Sequence, residues 1–240
     1  MKIGVIGGGK ILDTPKKQKI INGYGETSSQ LEYSVIGKNT VYTMRRHDYD
    51  HSIPPSKINY KANIKAFKDI GIDVLIGVTA SGSLQHSIHT GDIVIPNQML
   101  DFTYLRDNTF SSVGNVLHES MAEPYSSEIR KMLKPFISRD NNIKYHTDKT
   151  LLSIEGPHFP SIAEANFFRT IGADVINMTT APEAKLCKEL KIPYQPLCLI
   201  TDDRENLDYN NLSIETIHQN IINKSKNTIK NIIIDFSKNI

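Results

Sequence analysis

The sequence contains few of the residues and segments that mark secreted or membrane proteins. It has two cysteines, Cys187 and Cys198, among 240 residues, and no tryptophan. One falls in a predicted helix and the other in a predicted strand, so a disulfide framework is disfavoured and a reducing compartment fits. No apolar run approaches the ~18 residues that a membrane span requires. The opening MKIGVIGGG is too short and too glycine-rich for a signal peptide. We therefore expect a cytoplasmic protein with no membrane partner.

The sequence also lacks an excess of charge of one sign. Its 28 Lys and Arg residues and 26 Asp and Glu residues leave a net charge of +2 at pH 7. A nucleic-acid-binding protein usually carries a clustered basic face, whereas basic and acidic residues alternate here, so no nucleic-acid partner is expected. The chain has no low-complexity linker and no internal repeat. We interpret residues 1–240 as one α/β domain.

Short apolar runs alternate with segments of helical periodicity, which predicts a largely parallel or mixed sheet between helices. The predicted strands are Lys2–Ile6, Tyr33–Ile36 and Val41–Met44 (a hairpin), Val74–Thr79, Ile93–Pro96, one ending at Ser153–Ile154, Asp174–Ile176 and Pro196–Thr201. The predicted helices are Asn59–Ile70 (with Ser56 available as its cap), Ser126–Phe136, Ser161–Thr170, Ala181–Leu190 and Ser213–Phe236.

A glycine cluster, Gly7–Lys10, follows the first predicted strand. Its unhindered backbone amides could surround a phosphate. The dinucleotide pattern fails because Leu12 stands where glycine is required, which disfavours a nicotinamide oxidoreductase. The P-loop pattern fails because Ile11 replaces the hydroxyl residue. An anion site and a simple tight turn remain equal alternatives.

Histidines and charged residues are concentrated in Arg45–His51. A metallo-hydrolase motif would need histidine at positions 46 and 48, where Arg46 and Asp48 stand. An arginine repels a cation and attracts an anion. The adjacent Arg46 and His47 therefore favour an oxyanion clamp, and no metal is expected. A solvated polar loop remains the alternative.

Three further segments place polar residues where apolar strands end: Val78–Ser83, Asn177–Glu183 and Leu199–Asp203. Ligands usually bind at the carboxyl edge of an α/β sheet. The helix start within the second segment could donate hydrogen bonds to an anion, and a carboxylate in the third could share a proton with a heterocycle. Each segment alone would also fit an ordinary turn or a surface acid.

Taken together, these segments resemble the 5'-methylthioadenosine phosphorylase branch of the trimeric purine nucleoside phosphorylase family. The matching segments are IGVIGGG (3–9), RRHDYDHSIPPSKINYKANI (45–64), TASGSL (79–84), GDIVIPNQMLDFT (91–103), SIEGPHF (153–159), GADVINMTTAPEAKLCKEL (172–190) and LITD (199–202). The resemblance implies a single α/β domain with a mixed, partly barrel-like sheet. It also implies a homotrimer whose active sites lie near subunit boundaries.

The resemblance further implies a phosphate site and a nucleoside site. Phosphate would be bound by Gly9, Arg46, His47, Thr79, Ala80 and Thr179. The nucleoside would be bound by Met178 beside the ribose, Phe159 against the base, and Thr201, Asp202 and Arg204 near the base. The 5' substituent would be bound by His51, Ile214 and Ile217, together with His118 from a neighbouring subunit. Arg46, His47 and Asp202 would be the catalytic residues.

The reaction that this resemblance implies is the phosphate-dependent cleavage of 5'-methylthioadenosine to adenine and 5-methylthioribose 1-phosphate, in purine and methionine salvage. Phosphate is a co-substrate, and no cofactor is needed. Two alternatives remain open. Pro160 and Arg204 depart from the adenosine-type pattern, which leaves a 6-oxopurine substrate (5'-methylthioinosine, inosine or guanosine). Gly9 stands where the family has threonine, which leaves a weakly active nucleoside-binding homologue.

Overall fold

A computed structural model describes residues 1–12, 16–18, 20–139, 143–202 and 223–240. The strands are β1 Lys2–Gly7, β2 Lys16–Gln18, β3 Ile21–Asn22, β4 Gly25–Glu26, β5 Leu31–Ile36, β6 Asn39–Arg45, β7 Val74–Ser83, β8 Ile93–Ile95, β9 Gln98–Phe102, β10 Tyr145–Thr147, β11 Thr150–Ile154, β12 Val175–Asn177 and β13 Tyr194–Asp202. The helices are α1 Tyr60–Ile70, α2 Ser127–Ile137, α3 Ile162–Thr170, α4 Thr180–Glu189 and α5 Asn223–Asn239, with a 3-10 turn at Pro55–Lys57.

One large mixed sheet organises the molecule. Its strand order is β10-β8-β13-β7-β1-β6-β5-β2. The central strands β13, β7, β1 and β6 run parallel to one another, whereas β5 pairs antiparallel with β6 and β8 pairs antiparallel with β13. The carboxyl ends of the central strands therefore meet at one edge of the sheet, where ligands of α/β proteins usually bind.

The long strand β7 also starts a second branch of the sheet. Its last residues pair antiparallel with β12, which continues through β11 to β9 in parallel. Only Pro96 and Asn97 separate β8 from β9, so the chain itself links the two branches. The strands consequently curve into a partly barrel-like arrangement, and the predicted fold class is confirmed.

Two hydrophobic cores lie on the two faces of the sheet. α1 and α4 contribute to one core through residues such as Phe67 and Leu186. α2 and α5 contribute to the other through residues such as Leu133 and Phe236. Both faces of the central strands are covered, which is why β1, β7 and β13 consist of nearly continuous apolar runs.

The local expectations were correct for most elements and wrong in a few details. Asn59, not Ser56, caps α1, because its side chain accepts a hydrogen bond from the Ala62 N–H at 3.0 Å. Strands β2, β3, β4, β9 and β10 were not predicted, since each is short or lacks clear alternation. Only Asn223–Asn239 of the predicted last helix lies within the described residues.

Cys187 and Cys198 are both buried free thiols, as the sequence indicated. In the part of the chain that the structure describes, no helix combines the length and apolar character needed to cross a membrane.

Candidate functional site

A cavity of about 530 Å³ lies at the carboxyl ends of the central strands. This volume falls within the range typical of small-molecule sites. The predicted site residues that line it are Gly9, Arg46, His47, His51, Thr79, Ala80, Phe159, Met178, Thr179, Thr201 and Asp202. The structure thus brings together residues from positions 9 to 202 of the chain.

Four predicted residues are not among the wall residues that the structure describes. His118 is exposed in the segment between β9 and α2 and does not line the cavity of its own chain. Arg204, Ile214 and Ile217 lie outside the described residues. Their predicted roles in binding the base and the 5' substituent remain predictions.

Arg46 follows β6 directly and is almost completely buried, with 1% of its side chain exposed. Its guanidinium forms a two-pronged ion pair with Glu183, through bonds of 2.7 and 3.1 Å. It also donates to the carbonyl oxygens of Val78 and Ile6 at 2.7 and 3.1 Å. Burial lowers its pKa, but the Glu183 carboxylate outweighs this, so the pKa is raised and the cation is secured.

Four of the five guanidinium hydrogens of Arg46 therefore point at protein acceptors. The remaining one, on Nη1, is the hydrogen that Arg46 can offer to a ligand at the cavity wall. Arg46 is consequently a structural cation as well as a wall residue. The sequence analysis predicted that Arg46 lines the site but did not predict its buried ion pair. The pattern around Glu183 does not distinguish a buried acid from the acid that often stands in a first helical turn.

His47 is buried and neutral. Its Nδ1 lies 2.7 Å from the carbonyl oxygen of Ile53, so Nδ1 carries the hydrogen and Nε2 presents a lone pair. Burial lowers its pKa most, the hydrogen bond to the Ile53 carbonyl opposes this, and the nearby charge of Arg46 adds to the lowering, so that the pKa is about 3. Its ring stacks on His51 with 4.2 Å between centroids. Arg46 and His47 are therefore built into the cavity wall, whereas Tyr49, Asp50 and His51 at the end of the segment are exposed.

The start of α4 supplies hydroxyls and backbone donors to the same wall. Thr179 occupies the N-cap position, is buried, and makes no side-chain capping bond. Behind it, Asn177 Nδ2 donates to Thr79 Oγ1 at 3.3 Å and to Thr180 Oγ1 at 3.1 Å. This buried network connects the β7 and α4 parts of the wall. Ser153 Oγ accepts from the Ala181 N–H at 3.1 Å and Pro182 has no N–H, so the donors that this helix start can offer an anion belong to Thr179 and Thr180.

Asp202 ends β13 beside Gly82 of the neighbouring strand β7 and is half-buried. The Thr201 hydroxyl donates to its Oδ1 at 2.9 Å. A β-carbon at Gly82 would lie 2.5 Å from its Oδ2, so any other residue at position 82 would displace this carboxylate. Gly82 is thus a functional position that the sequence analysis did not single out, although it lies within the strand-end segment Val78–Ser83.

The remaining wall is built from connecting segments. Phe159 lies between β11 and α3 and is 38% exposed. Met178 lies between β12 and α4, with its sulfur against Gly156, where a β-carbon would approach to 2.5 Å. Gly156 has a positive φ of 66°, so glycine is required there on both grounds.

Arg106, in the segment after β9, supports this wall from behind and was missed by the sequence analysis. Its side chain is fully buried and hydrogen-bonds to Met178 and Glu155. No periodicity or motif marks it, because its acceptors lie ~50 and ~70 residues away along the chain.

Within the described ranges, no three His, Cys, Asp or Glu side chains come together as a metal site would require. The expectation that the protein needs no metal remains a prediction.

Comparison with known proteins agrees with this geometry. The family model of the phosphorylase superfamily matches residues 15–235. A Thermodesulfovibrio yellowstonii protein named "Probable S-methyl-5'-thioinosine phosphorylase" is 42% identical over 206 residues, covering 84% of this chain and 77% of its own. The S-methyl-5'-thioadenosine phosphorylase of Nitrosopumilus maritimus is 39% identical over 208 residues, covering 84% and 78%.

Among solved structures, methylthioadenosine phosphorylase from Schistosoma mansoni in complex with adenine superposes with a TM-score of 0.89 at 28% identity, covering 98% of this chain and 90% of that one. The family resemblance predicted from the motifs is confirmed. Because the family model matches most of its length and a relative is 42% identical, this chain is a member of the phosphorylase superfamily.

Proposed function

We propose that this protein cleaves 5'-methylthioadenosine with inorganic phosphate, releasing adenine and 5-methylthioribose 1-phosphate. The observation that carries the proposal is that one cavity is lined both by an anion-binding group of residues and by a carboxylate. We call the wall formed by Arg46, His47, Thr79 and Thr179 the phosphate side. The wall formed by Met178, Phe159 and Asp202 is the nucleoside side.

The phosphate side suits hydrogen phosphate. The free Nη1 hydrogen of Arg46, the Thr179 hydroxyl and the start of α4 donate to its oxygens. Neutral His47 accepts at Nε2 the one hydrogen that the phosphate dianion still carries. Gly9 and the Ala80 backbone complete this wall.

Cleavage breaks the bond from C1' to N9 and forms a bond from C1' to a phosphate oxygen. Positive charge develops on the sugar and is stabilised by the bound phosphate dianion, while negative charge develops on the purine. Asp202, carrying one proton, donates to N7 as the base leaves. Overall one proton passes from hydrogen phosphate to the purine, so no cofactor is required.

Asp202 favours a 6-aminopurine, because a carboxylate accepts from the 6-amino group and repels the lone pair of a 6-oxo group. A second candidate is a 6-oxopurine substrate such as 5'-methylthioinosine. Two observations favour it: the 42% identical relative carries the thioinosine name, and Pro160 lines the cavity beside Phe159. Weak nucleoside binding without turnover is the third outcome.

The deciding experiment incubates 5'-methylthioadenosine, 5'-methylthioinosine, inosine and guanosine with and without phosphate and identifies the released base. We expect phosphate-dependent release of adenine, unaffected by a metal chelator. Release that is equal after rigorous removal of phosphate, or that a chelator abolishes, would contradict the proposal. Base release only from oxopurines would select the second candidate.

The proposal includes a homotrimer with shared sites. Ile162, Phe167 and Ile171, on α3 and just after it, are exposed in the single chain, and so are Tyr104 and Leu105 after β9. Phe167 packs against Phe102, which brings the two apolar segments together. Exposed apolar area of this kind marks an interaction surface.

Shared sites can be tested with two inactive variants. Asp202→Ala disables the chain's own cavity, and His118→Ala removes the residue proposed to reach a neighbour's cavity. Mixed subunits should recover part of the activity through hybrid trimers. An active monomer, or no recovery despite demonstrated subunit exchange, would refute the shared site. A cytoplasmic location belongs to the same proposal, because Cys187 and Cys198 are free thiols, which fits a reducing compartment.

A further inference from the structure

Arg106 is a second buried cation at the cavity, and the proposed mechanism gives it no role. Its side chain is 0% exposed. All five guanidinium hydrogens are directed at protein acceptors. These acceptors are Tyr60 Oη at 3.1 Å, Ile154 O at 3.3 Å, Glu155 Oε1 at 3.4 Å, and the carbonyl oxygens of Met178 and Glu155.

The acceptors belong to three different segments of the cavity wall. Ile154 and Glu155 begin the connection that leads to Phe159, and Met178 begins the connection from β12 to α4. The Tyr60 hydroxyl donates in turn to the carbonyl oxygen of Pro55 at 2.9 Å, and Pro55 also lines the cavity. One guanidinium therefore joins three parts of the wall just beyond the point where the β11–β12 pairing ends, at Ser153 and Asn177.

The segment that carries Arg106 is fixed by the same acid. Glu155 Oε2 accepts the backbone N–H groups of Tyr104 and Leu105 at 2.7 and 3.3 Å. Arg106 also lies over the ring of Tyr60, with 5.6 Å between the guanidinium carbon and the centroid. The guanidinium is thus held from two directions and has little freedom to move away from Met178.

We propose that Arg106 is a positioning residue for the nucleoside. It holds Met178 and the segment leading to Phe159 at the separation that the sugar and base require, without touching the substrate. This inference rests on the proposed function, because it places the nucleoside between Met178 and Phe159. Lysine would keep the charge, but its three hydrogens leave a single atom, so it cannot replace a planar fork that serves five acceptors on separate segments.

On the phosphate side, Arg46 and His47 are held independently of this clamp, whereas Thr179 directly follows Met178. Arg46 is held by Glu183, and His47 by Ile53, through hydrogen bonds in which Arg106 takes no part. The charge of Arg106 does contribute to lowering the pKa of His47. Arg106→Lys is therefore the sharpest variant, since it keeps the charge and removes the fork.

The experiment measures KM for the nucleoside and for phosphate separately. For Arg106→Lys we expect the nucleoside KM to rise about tenfold to a hundredfold, and the phosphate KM to change less than about threefold. Added methylguanidinium should lower the raised nucleoside KM of Arg106→Ala. The matched control is Arg130→Met, an arginine on α2 away from the cavity, which should leave the nucleoside KM unchanged.

A purely structural arginine would give another result: less folded enzyme, a lower apparent kcat and an unchanged nucleoside KM. That result, or an equal rise of both KM values, would overturn the inference.

If Arg106→Lys does not fold, Tyr60→Phe and Glu155→Gln decide it, each removing part of the clamp and each expected to raise only the nucleoside KM. If the unmodified protein shows no phosphorolysis, the proposed function fails, and the Kd of the nucleoside, measured by calorimetry on the same variants, tests Arg106 alone.

Discussion

The phosphate side and the nucleoside side of the cavity are built in different ways. On the phosphate side, Arg46 and His47 directly follow β6, Thr79 lies within β7, and Thr179 begins α4. On the nucleoside side, Asp202 ends β13, whereas Phe159 and Met178 lie in connecting segments. Arg106 donates to the carbonyl oxygens of Met178 and of Glu155, in the segment that leads to Phe159.

Because of this difference, substitutions on the two sides should change different properties of the protein. Regular elements fix the phosphate side through backbone pairing and a buried ion pair, so substitutions there act on folding as well as on phosphate. Side-chain hydrogen bonds between segments fix the nucleoside side, so substitutions there act first on substrate choice. Four predictions test this contrast, from the largest expected effect to the smallest.

Removal of Arg46 should give the largest loss of stability. Arg46→Ala leaves the Glu183 carboxylate buried and unpaired, which typically lowers the free energy of unfolding by about 3–5 kcal/mol. Urea unfolding measures the loss, and Arg46→Met combined with Glu183→Leu should be less destabilised than Arg46→Ala. Lys65→Ala, which breaks the exposed Lys65–Asp69 pair, is the control and should change stability by less than about 1 kcal/mol. If Arg46→Ala lowers stability as little as Lys65→Ala does, the buried ion pair does not stabilise the phosphate side.

Substitution of Asp202 should change substrate choice with little effect on phosphate. A mismatched buried polar pair costs about 1–3 kcal/mol, which corresponds to about tenfold to a hundredfold discrimination. We expect kcat/KM for 5'-methylthioadenosine to exceed that for inosine at least about tenfold, and Asp202→Asn to narrow or reverse this ratio. The KM for phosphate should stay constant. A preference of the unmodified protein for inosine would contradict the role given to Asp202 and direct attention to Arg204.

The two helix starts near the cavity offer a matched pair. α3 is capped by Ser161 and Glu164 in a reciprocal capping box, whereas Thr179 makes no side-chain capping bond at α4. Ser161→Ala should therefore lower stability by about 1 kcal/mol without changing the phosphate KM. Thr179→Ala should raise the phosphate KM about tenfold, the effect of one lost hydrogen bond to a charged group. If Thr179→Ala lowers stability and leaves the phosphate KM unchanged, as expected for Ser161→Ala, then the start of α4 does not bind phosphate.

His47 should make stability depend on pH. Its pKa of about 3 in the folded protein lies below the ordinary value of about 6.5, so the unfolded chain binds the proton more tightly. The stabilisation is present above pH 6.5 and is lost as the pH falls towards 3, by about 1 kcal/mol between pH 6.5 and 5.5. Denaturation across this range should show a shallower slope in His47→Gln. If the stability of His47→Gln depends on pH as strongly as that of the unmodified protein, groups other than His47 cause the pH dependence.

The sequence by itself determined the order of strands and helices and most of the cavity wall. Apolar runs such as those of β1 and β13 require burial on both faces, and this fixes a covered parallel sheet. The carboxyl ends of parallel strands then lie at one edge, so residues following β6 and ending β13 had to meet there. The motifs that carry the family resemblance contain the same residues, because these motifs lie where the strands end.

Only the tertiary structure decided which side chains hold that wall in place. The pairing of Arg46 with Glu183 joins residues 137 positions apart, and that of Arg106 with Met178 joins residues 72 apart. The space at Gly82 for the Asp202 carboxylate exists only because β13 lies beside β7. Such contacts leave no periodic pattern in the sequence. They follow from burial, which makes an unpaired charge or carbonyl costly and therefore pairs each buried group with whatever the fold brings next to it.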